Sequence, residues 1–127
     1  MKNLPNRFFA TAAIFALCGM VWGIVMSASG DHLLSPAHGH LNLIGFVMTS
    51  VFGTYYALSP NACDSRLASF HYGLHTLTVI VMVPGIVFAI QERTEALAII
   101  GSLLAVLSMV VFTTIVLRDG RAARSST

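Results

Sequence analysis

The sequence is short of charged residues. Only 9% of its 127 residues are Asp, Glu, Lys or Arg, whereas 56% are hydrophobic. Soluble globular domains carry about 25% charged residues, so this composition excludes an ordinary soluble domain and indicates a membrane protein. The formal net charge is only +2, which gives no reason to expect binding to nucleic acid. A chain of this length is expected to form one domain, residues 1–127.

Four long stretches contain no charged side chain. Each reaches the ~20 residues that a helix needs to cross the hydrocarbon core of a bilayer. The predicted transmembrane helices cover about residues 8–28, 36–58, 67–90 and 96–117. Short connections make successive helices antiparallel neighbours. The sequence therefore predicts an all-α, integral membrane four-helix bundle, followed by a disordered tail.

The basic residues predict the orientation in the membrane. With the N-terminus in the cytoplasm, only Arg93 lies outside. The other basic residues then lie on the cytoplasmic side: Lys2, Arg7, Arg66, Arg118, Arg121 and Arg124. Because cytoplasmic loops carry the excess of Lys and Arg, we expect both termini to be cytoplasmic and the protein to be a multi-pass protein of the inner (plasma) membrane. The basic tails would face anionic lipid head groups.

Cysteines and intramembrane acids are also scarce. The two cysteines are Cys18, in the middle of the first span, and Cys63, in a loop expected to face the reducing cytoplasm. We expect Cys18 to be a small apolar core residue and Cys63 to be a reduced loop thiol. None of the four spans contains Asp or Glu, which excludes a proton channel built on carboxylates.

Histidine, by contrast, is concentrated in the spans. Four of the five histidines lie there: His38, His40, His71 and His75. Imidazole is costly in hydrocarbon, so an intramembrane histidine is a functional hypothesis by default. Two residues along a helix correspond to a rotation of roughly 200°. His38 and His40 are therefore predicted to point to opposite sides of the second helix, where Asn42 either orients His38 or packs against a neighbouring helix.

The second pair of histidines lies deeper. His71 and His75 fall in the inner half of the third span, whereas His38 and His40 lie at the outer edge of the second. At i and i+4, His71 and His75 share one helix face and could chelate copper or zinc. They could also contact a haem. The alternative is a pair of structural hydrogen bonds to Ser69, Tyr72, Thr78 or a carbonyl of the second helix.

One resemblance follows from these motifs. The segment Ala37-His38-Gly39-His40, with residues 41–45 and the later Phe52-Gly53-Thr54-Tyr55-Tyr56, resembles subunit I of haem-copper oxidases. In that family a histidine of the second helix binds the low-spin haem, and a His-x-His pair of the tenth helix serves two haems. The segment 66–71 is similar to the following helix of short members. The resemblance covers about residues 35–85.

The resemblance implies a fold, an assembly and a cofactor. The family's catalytic subunit has twelve helices in three arcs of four, and this chain has the size of one arc. A homotrimer would then imitate the ring, with His38 and His40 as ligands of haem b across subunit boundaries. The implied function is electron transfer, with an unidentified redox partner, or binding of a small gas. The oxidase copper site has an adjacent His-His pair, which this sequence lacks, so oxygen-reductase activity is not expected.

Two other functions are compatible with the same residues. The histidines could bind copper transiently in a protein that handles copper for assembly or transport. Alternatively, the chain could be a structural membrane subunit without a cofactor, in which His38 and His40 bond to head groups or loop carbonyls. In each case membrane lipid is an expected partner.

Overall fold

A computed structural model describes residues 3–126 of the chain. The four long helices are α1, Leu4–Ser29; α2, Ser35–Leu58; α4, Arg66–Ile90; and α5, Ala96–Ser125. A single turn, α3, Pro60–Cys63, lies between α2 and α4. All four long helices are long and apolar enough to cross a membrane. The predicted all-α class and the four candidate spans are confirmed.

The two chain ends differ from the prediction. The first helix begins at Leu4 rather than near Phe8, because both side chains are fully buried. The predicted disordered tail is wrong, since α5 continues through Ser125. The residues after Leu117 include Ala and Arg, which favour helix, and Asp119 accepts a hydrogen bond from Tyr55 Oη at 2.9 Å. Lys2 and Thr127 lie outside the described residues.

Helices α4 and α5 pack against each other more extensively than any other pair. Two glycines bring their backbones together. A Cβ on Gly85 would lie 2.7 Å from the backbone of Leu97 and Ala98, and one on Gly101 would lie 2.7 Å from the Cα of Met82. Since these contacts pair the end of α4 with the start of α5, the two helices run antiparallel.

Helices α1 and α2 form a second antiparallel pair. Gly19, far along α1, meets the side chain of Asn42 near the start of α2, whereas Phe8 meets Gly53 near its end. Gly19 and Gly23, one turn apart on α1, therefore serve packing within the chain, against Asn42 and His38. This contact places His38 beside α1.

A cluster rich in aromatic side chains closes the end of the molecule that holds the chain termini. Leu4, Phe8, Tyr56 and Ile115 are all buried in it. Phe8 stacks on Tyr56 with ring centroids 5.2 Å apart. Since Leu4 begins α1 and Ile115 lies near the end of α5, both ends of the chain lie on the same side of the protein.

Part of α2 is not an ordinary α-helix. Residues Leu41–Met48 form a π-helix, which follows directly after His40 and ends before Thr49. π segments are rare and occur frequently at functional sites. The sequence did not predict this segment, which lies between the outer and inner histidines.

The cysteines are placed differently from the prediction. Cys18 is exposed on α1 rather than in the core, and Cys63 is buried in α3. Burial raises the pKa of the Cys63 thiol, so this side chain is protonated at neutral pH. Both cysteines are therefore poor candidates for a metal site.

Candidate functional site: two pairs of histidines

The two outer histidines lie on opposite sides of α2, as their spacing predicts. His38 is half-buried against α1, whereas His40 is exposed. Further along α2, Gly45, Thr49 and Phe52 are buried. The two rings of this pair therefore have different surroundings and different chemistry.

His38 is engaged within the chain. Its Nε2 lies 2.9 Å from the carbonyl oxygen of Gly19, and since a carbonyl can only accept, Nε2 carries the proton and donates it. The ring also packs edge-on against Trp22, with centroids 5.8 Å apart. Gly23 leaves the space for this ring, since a Cβ there would lie 3.2 Å from Nε2. In this arrangement Nε2 is not available to a metal.

Asn42 lies beside His38 without bonding to it in the simplest protonation state. Its Nδ2 is 3.4 Å from His38 Nε2, but both nitrogens are donors when Nε2–H bonds to Gly19. The side chain lies directly on Gly19, where a Cβ would overlap the amide oxygen. Asn42 therefore supports the position of His38 by packing.

His40 has the geometry of a ligand. Its Nδ1 lies 2.7 Å from the carbonyl oxygen of Pro36, one turn earlier, and must donate its proton to that oxygen. Neutral imidazole then presents an unprotonated Nε2, and a hydrogen bond of this kind on the other ring nitrogen is typical of metal-bound histidine. The residue is exposed, and Nε2 has no hydrogen-bond partner among the described residues.

Both ring nitrogens of His75 have hydrogen-bond partners. Its Nε2 donates to the carbonyl oxygen of Ile44 at 3.1 Å and lies 3.1 Å from Thr49 Oγ1. Nδ1 lies 3.2 Å from Ser108 Oγ, which can donate to it. The ring therefore connects α4 to the π segment of α2 and to α5. The Ile44 carbonyl belongs to α2 and confirms the predicted bond to a carbonyl of the second helix, whereas Thr49 and Ser108 were not predicted as partners.

His71 is buried with one nitrogen satisfied. Nδ1 is 2.9 Å from Tyr56 Oη, whereas Nε2 is buried with no hydrogen-bond partner among the described residues. The ring packs against Phe52 and Phe112, with centroids 4.6 and 5.5 Å away. Because Nε2 is buried, it is closed to a haem in this arrangement of side chains. Tyr56 is the partner of His71 that sequence reasoning missed.

The two inner histidines do not form the chelate that their spacing allows. The ring centroids of His71 and His75 are 6.0 Å apart, and both nitrogens of His75 already have partners. Within residues 3–126, no three His, Cys, Asp or Glu side chains come together in a way that could hold a metal ion.

Comparison with known proteins does not extend the resemblance. No family model, curated protein or solved structure matches the chain. The resemblance to haem-copper oxidase subunit I consequently rests on the segment 35–85 alone. Function has to be inferred from the geometry of the histidines.

Proposed function

We propose that this protein binds haem b in the membrane and transfers electrons, with the haem held between subunits. The observation that carries the proposal is the geometry of His40. Its Nδ1 is fixed by the Pro36 carbonyl at 2.7 Å, and the residue is exposed with Nε2 unpartnered among the described residues. A haem held by two imidazoles would need a second histidine, and within residues 3–126 no second histidine lies beside Nε2 of His40.

The second ligand in this proposal is His38 of a neighbouring subunit. His38 would have to release the Gly19 carbonyl, and a hydrogen bond of this kind contributes about 1 kcal/mol. Closed rings of identical subunits repeat one interface at every boundary, so each interface would hold one haem. A homotrimer is the assembly that the resemblance to haem-copper oxidases favours.

The protein would determine how such a haem behaves. Bound haem supplies reversible one-electron chemistry at its iron, and its potential depends on axial ligands, hydrogen bonds and burial. His40 would hold the group at the outer edge of the span, with its ring orientation fixed by Pro36. Val47 and Val51, further along α2, are exposed apolar side chains and would contribute to a dry surface at the subunit boundary.

The proposed orientation places the haem near the outer surface. The described arginines on the side of the chain termini are Arg7, Arg66, Arg118, Arg121 and Arg124, whereas Arg93 is on the side of His40. This distribution favours cytoplasmic termini in the inner membrane. An electron donor or acceptor would then approach from the outside.

An absorbance spectrum of the purified protein tests the proposal. After expression with haem supplied, we expect a Soret band that shifts on reduction with dithionite. His40→Ala should lose the haem, and His38→Ala should lose the low-spin spectrum. His32→Ala is the matched control, because His32 is an exposed histidine whose Nδ1 also lies near a carbonyl, that of Gly30 at 3.2 Å.

The contrary outcomes are distinct. An unchanged haem spectrum in His40→Ala would refute the assignment of this ligand. A colourless protein with stoichiometric copper would favour a function in copper handling. A protein with neither haem nor copper would indicate a structural membrane subunit.

A further inference from the structure

A cavity lies at the end of the molecule opposite to His40. Its volume is about 210 Å³. It is bounded by α3, the start of α4 and the last turns of α5. The lining comprises Asn61, Ala62, Ser65, Leu67, Ile115, Arg118, Asp119 and Ala122. Because Arg118 follows the apolar stretch of α5, the cavity lies where the hydrocarbon meets the polar head groups.

The charged groups of the cavity are one cation and one anion on adjacent residues, Arg118 and Asp119, and its uncharged polar side chains are Asn61 and Ser65. Ser65 is already used as the cap of α4, since its hydroxyl accepts from Ala68 N at 3.1 Å and donates to the Ala62 carbonyl at 2.8 Å. Asp119 accepts from Tyr55 through Oδ2. A carboxylate has two oxygens, so Oδ1 can accept a further hydrogen bond. The guanidinium of Arg118 completes the pair.

This combination selects among phospholipid head groups. A guanidinium matches phosphate in charge and geometry, but the carboxylate beside it repels a head group that is purely anionic. A primary ammonium would pair with that carboxylate and donate hydrogen bonds to it. The apolar part of the wall, formed by Leu67 and Ile115, suits the start of an acyl chain.

We propose that this cavity binds phosphatidylethanolamine, with the lipid phosphate on Arg118 and the ammonium on Asp119. Basic pockets between helices near the membrane surface are known to hold lipid head groups, and the carboxylate adds selectivity for a primary amine. The site is separate from the histidines. It does not depend on whether the protein binds haem.

The first test varies the lipid and leaves the protein unchanged. Native mass spectrometry of the purified full-length chain would compare phosphatidylethanolamine with its mono-, di- and trimethylated forms and with phosphatidylglycerol. Each added methyl removes an N–H donor, so binding should weaken stepwise, by about tenfold over the series, in keeping with the loss of charge-assisted hydrogen bonds. Equal binding of the unmethylated and trimethylated lipids would overturn the proposal. Tighter binding of phosphatidylglycerol would identify a site for anionic lipid instead.

Three variants locate the site. Arg118→Gln should weaken binding of phosphatidylethanolamine about tenfold, whereas Arg121→Gln, a change outside the cavity lining, should leave it unchanged. Asp119→Asn keeps an oxygen for Tyr55 and should abolish the preference for the unmethylated lipid without abolishing binding. Unchanged binding by Arg118→Gln would contradict the proposal. The last measurement uses soluble phosphoethanolamine, which has no acyl chain. If it binds as tightly as the lipid, the acyl chain contributes nothing and the site does not select a membrane lipid.

Discussion

His40 and His75 use the same side chain in opposite ways. His40 is exposed and bonds to the Pro36 carbonyl through one ring nitrogen. His75 is buried and uses both ring nitrogens for partners on two other helices. The other member of each pair lies between these two cases, since His38 and His71 each have one ring nitrogen hydrogen-bonded within the chain. Both rings of the inner pair are buried.

The difference shows how a histidine that serves packing can be distinguished from one that is a candidate ligand. A buried imidazole with partners on both nitrogens is explained by the cost of leaving polar groups unpaired in hydrocarbon. An exposed imidazole whose orientation is fixed by a carbonyl has no such explanation. We therefore expect substitutions of the inner pair to lower stability and substitution of His40 to affect cofactor binding.

The largest loss of stability is expected for His75→Ala. The change removes the bonds to Ile44 and Ser108 and leaves a cavity among α2, α4 and α5. Hydrogen bonds between membrane helices contribute about 0.6 kcal/mol on average, and truncation of a large buried side chain costs about 2–5 kcal/mol. We expect the free energy of unfolding, measured in mixed micelles, to fall by about 3 kcal/mol. A fall of less than about 1 kcal/mol would show that the hydrogen bonds of His75 contribute little to holding α2, α4 and α5 together.

Gly19→Ala should have the next largest effect. The new methyl group would overlap the side chain of Asn42 and push it towards His38. Overpacking of this kind costs about 2 kcal/mol. Gly39→Ala is the matched control, because a Cβ there meets nothing within 4 Å. Equal unfolding free energies of the two variants would mean that α1 and α2 are not as close as the structure places them.

A smaller effect is expected for Tyr56→Phe. The change leaves His71 Nδ1 buried without its partner, at a cost of about 1 kcal/mol in unfolding free energy. The double variant Tyr56→Phe with His71→Phe removes both polar groups and should recover most of that loss. A double-mutant cycle measures this coupling. Additive losses in the double variant would contradict a direct bond between the two side chains.

The smallest effect on stability is expected for His40→Ala. The ring is exposed and its only hydrogen bond among the described residues is to Pro36, so unfolding free energy of the cofactor-free protein should change by less than about 0.5 kcal/mol. Haem content, measured on the same preparations, should fall sharply. A large loss of stability with a normal haem content would mean that His40 serves packing and not cofactor binding.

The helical spans could be predicted because charge excluded from long stretches is a direct consequence of the hydrocarbon environment. The opposite directions of His38 and His40 followed equally directly from helix geometry. Among the histidine partners, the carbonyl of the second helix was predicted and is found at Ile44. Gly19, Tyr56 and Ser108 could not be predicted, since they lie on other helices and their contacts depend on helix rotation. The prediction of a disordered tail was wrong because Asp119 is held by Tyr55, a contact between residues 64 positions apart.

The π segment of α2 sets the angular phase between the two ends of that helix. Each residue of an α-helix turns the chain by ~100°. A π turn holds more residues than an α turn, so Leu41–Met48 turn the chain through a smaller angle than the same eight residues would in an α-helix. The contact of His38 with Gly19 at one end of α2, and those of Thr49 and Tyr56 at the other, are therefore compatible only through this segment. Conversion of the segment to α-helical hydrogen bonding at unchanged length would turn His38 and His40 relative to Thr49 and Tyr56.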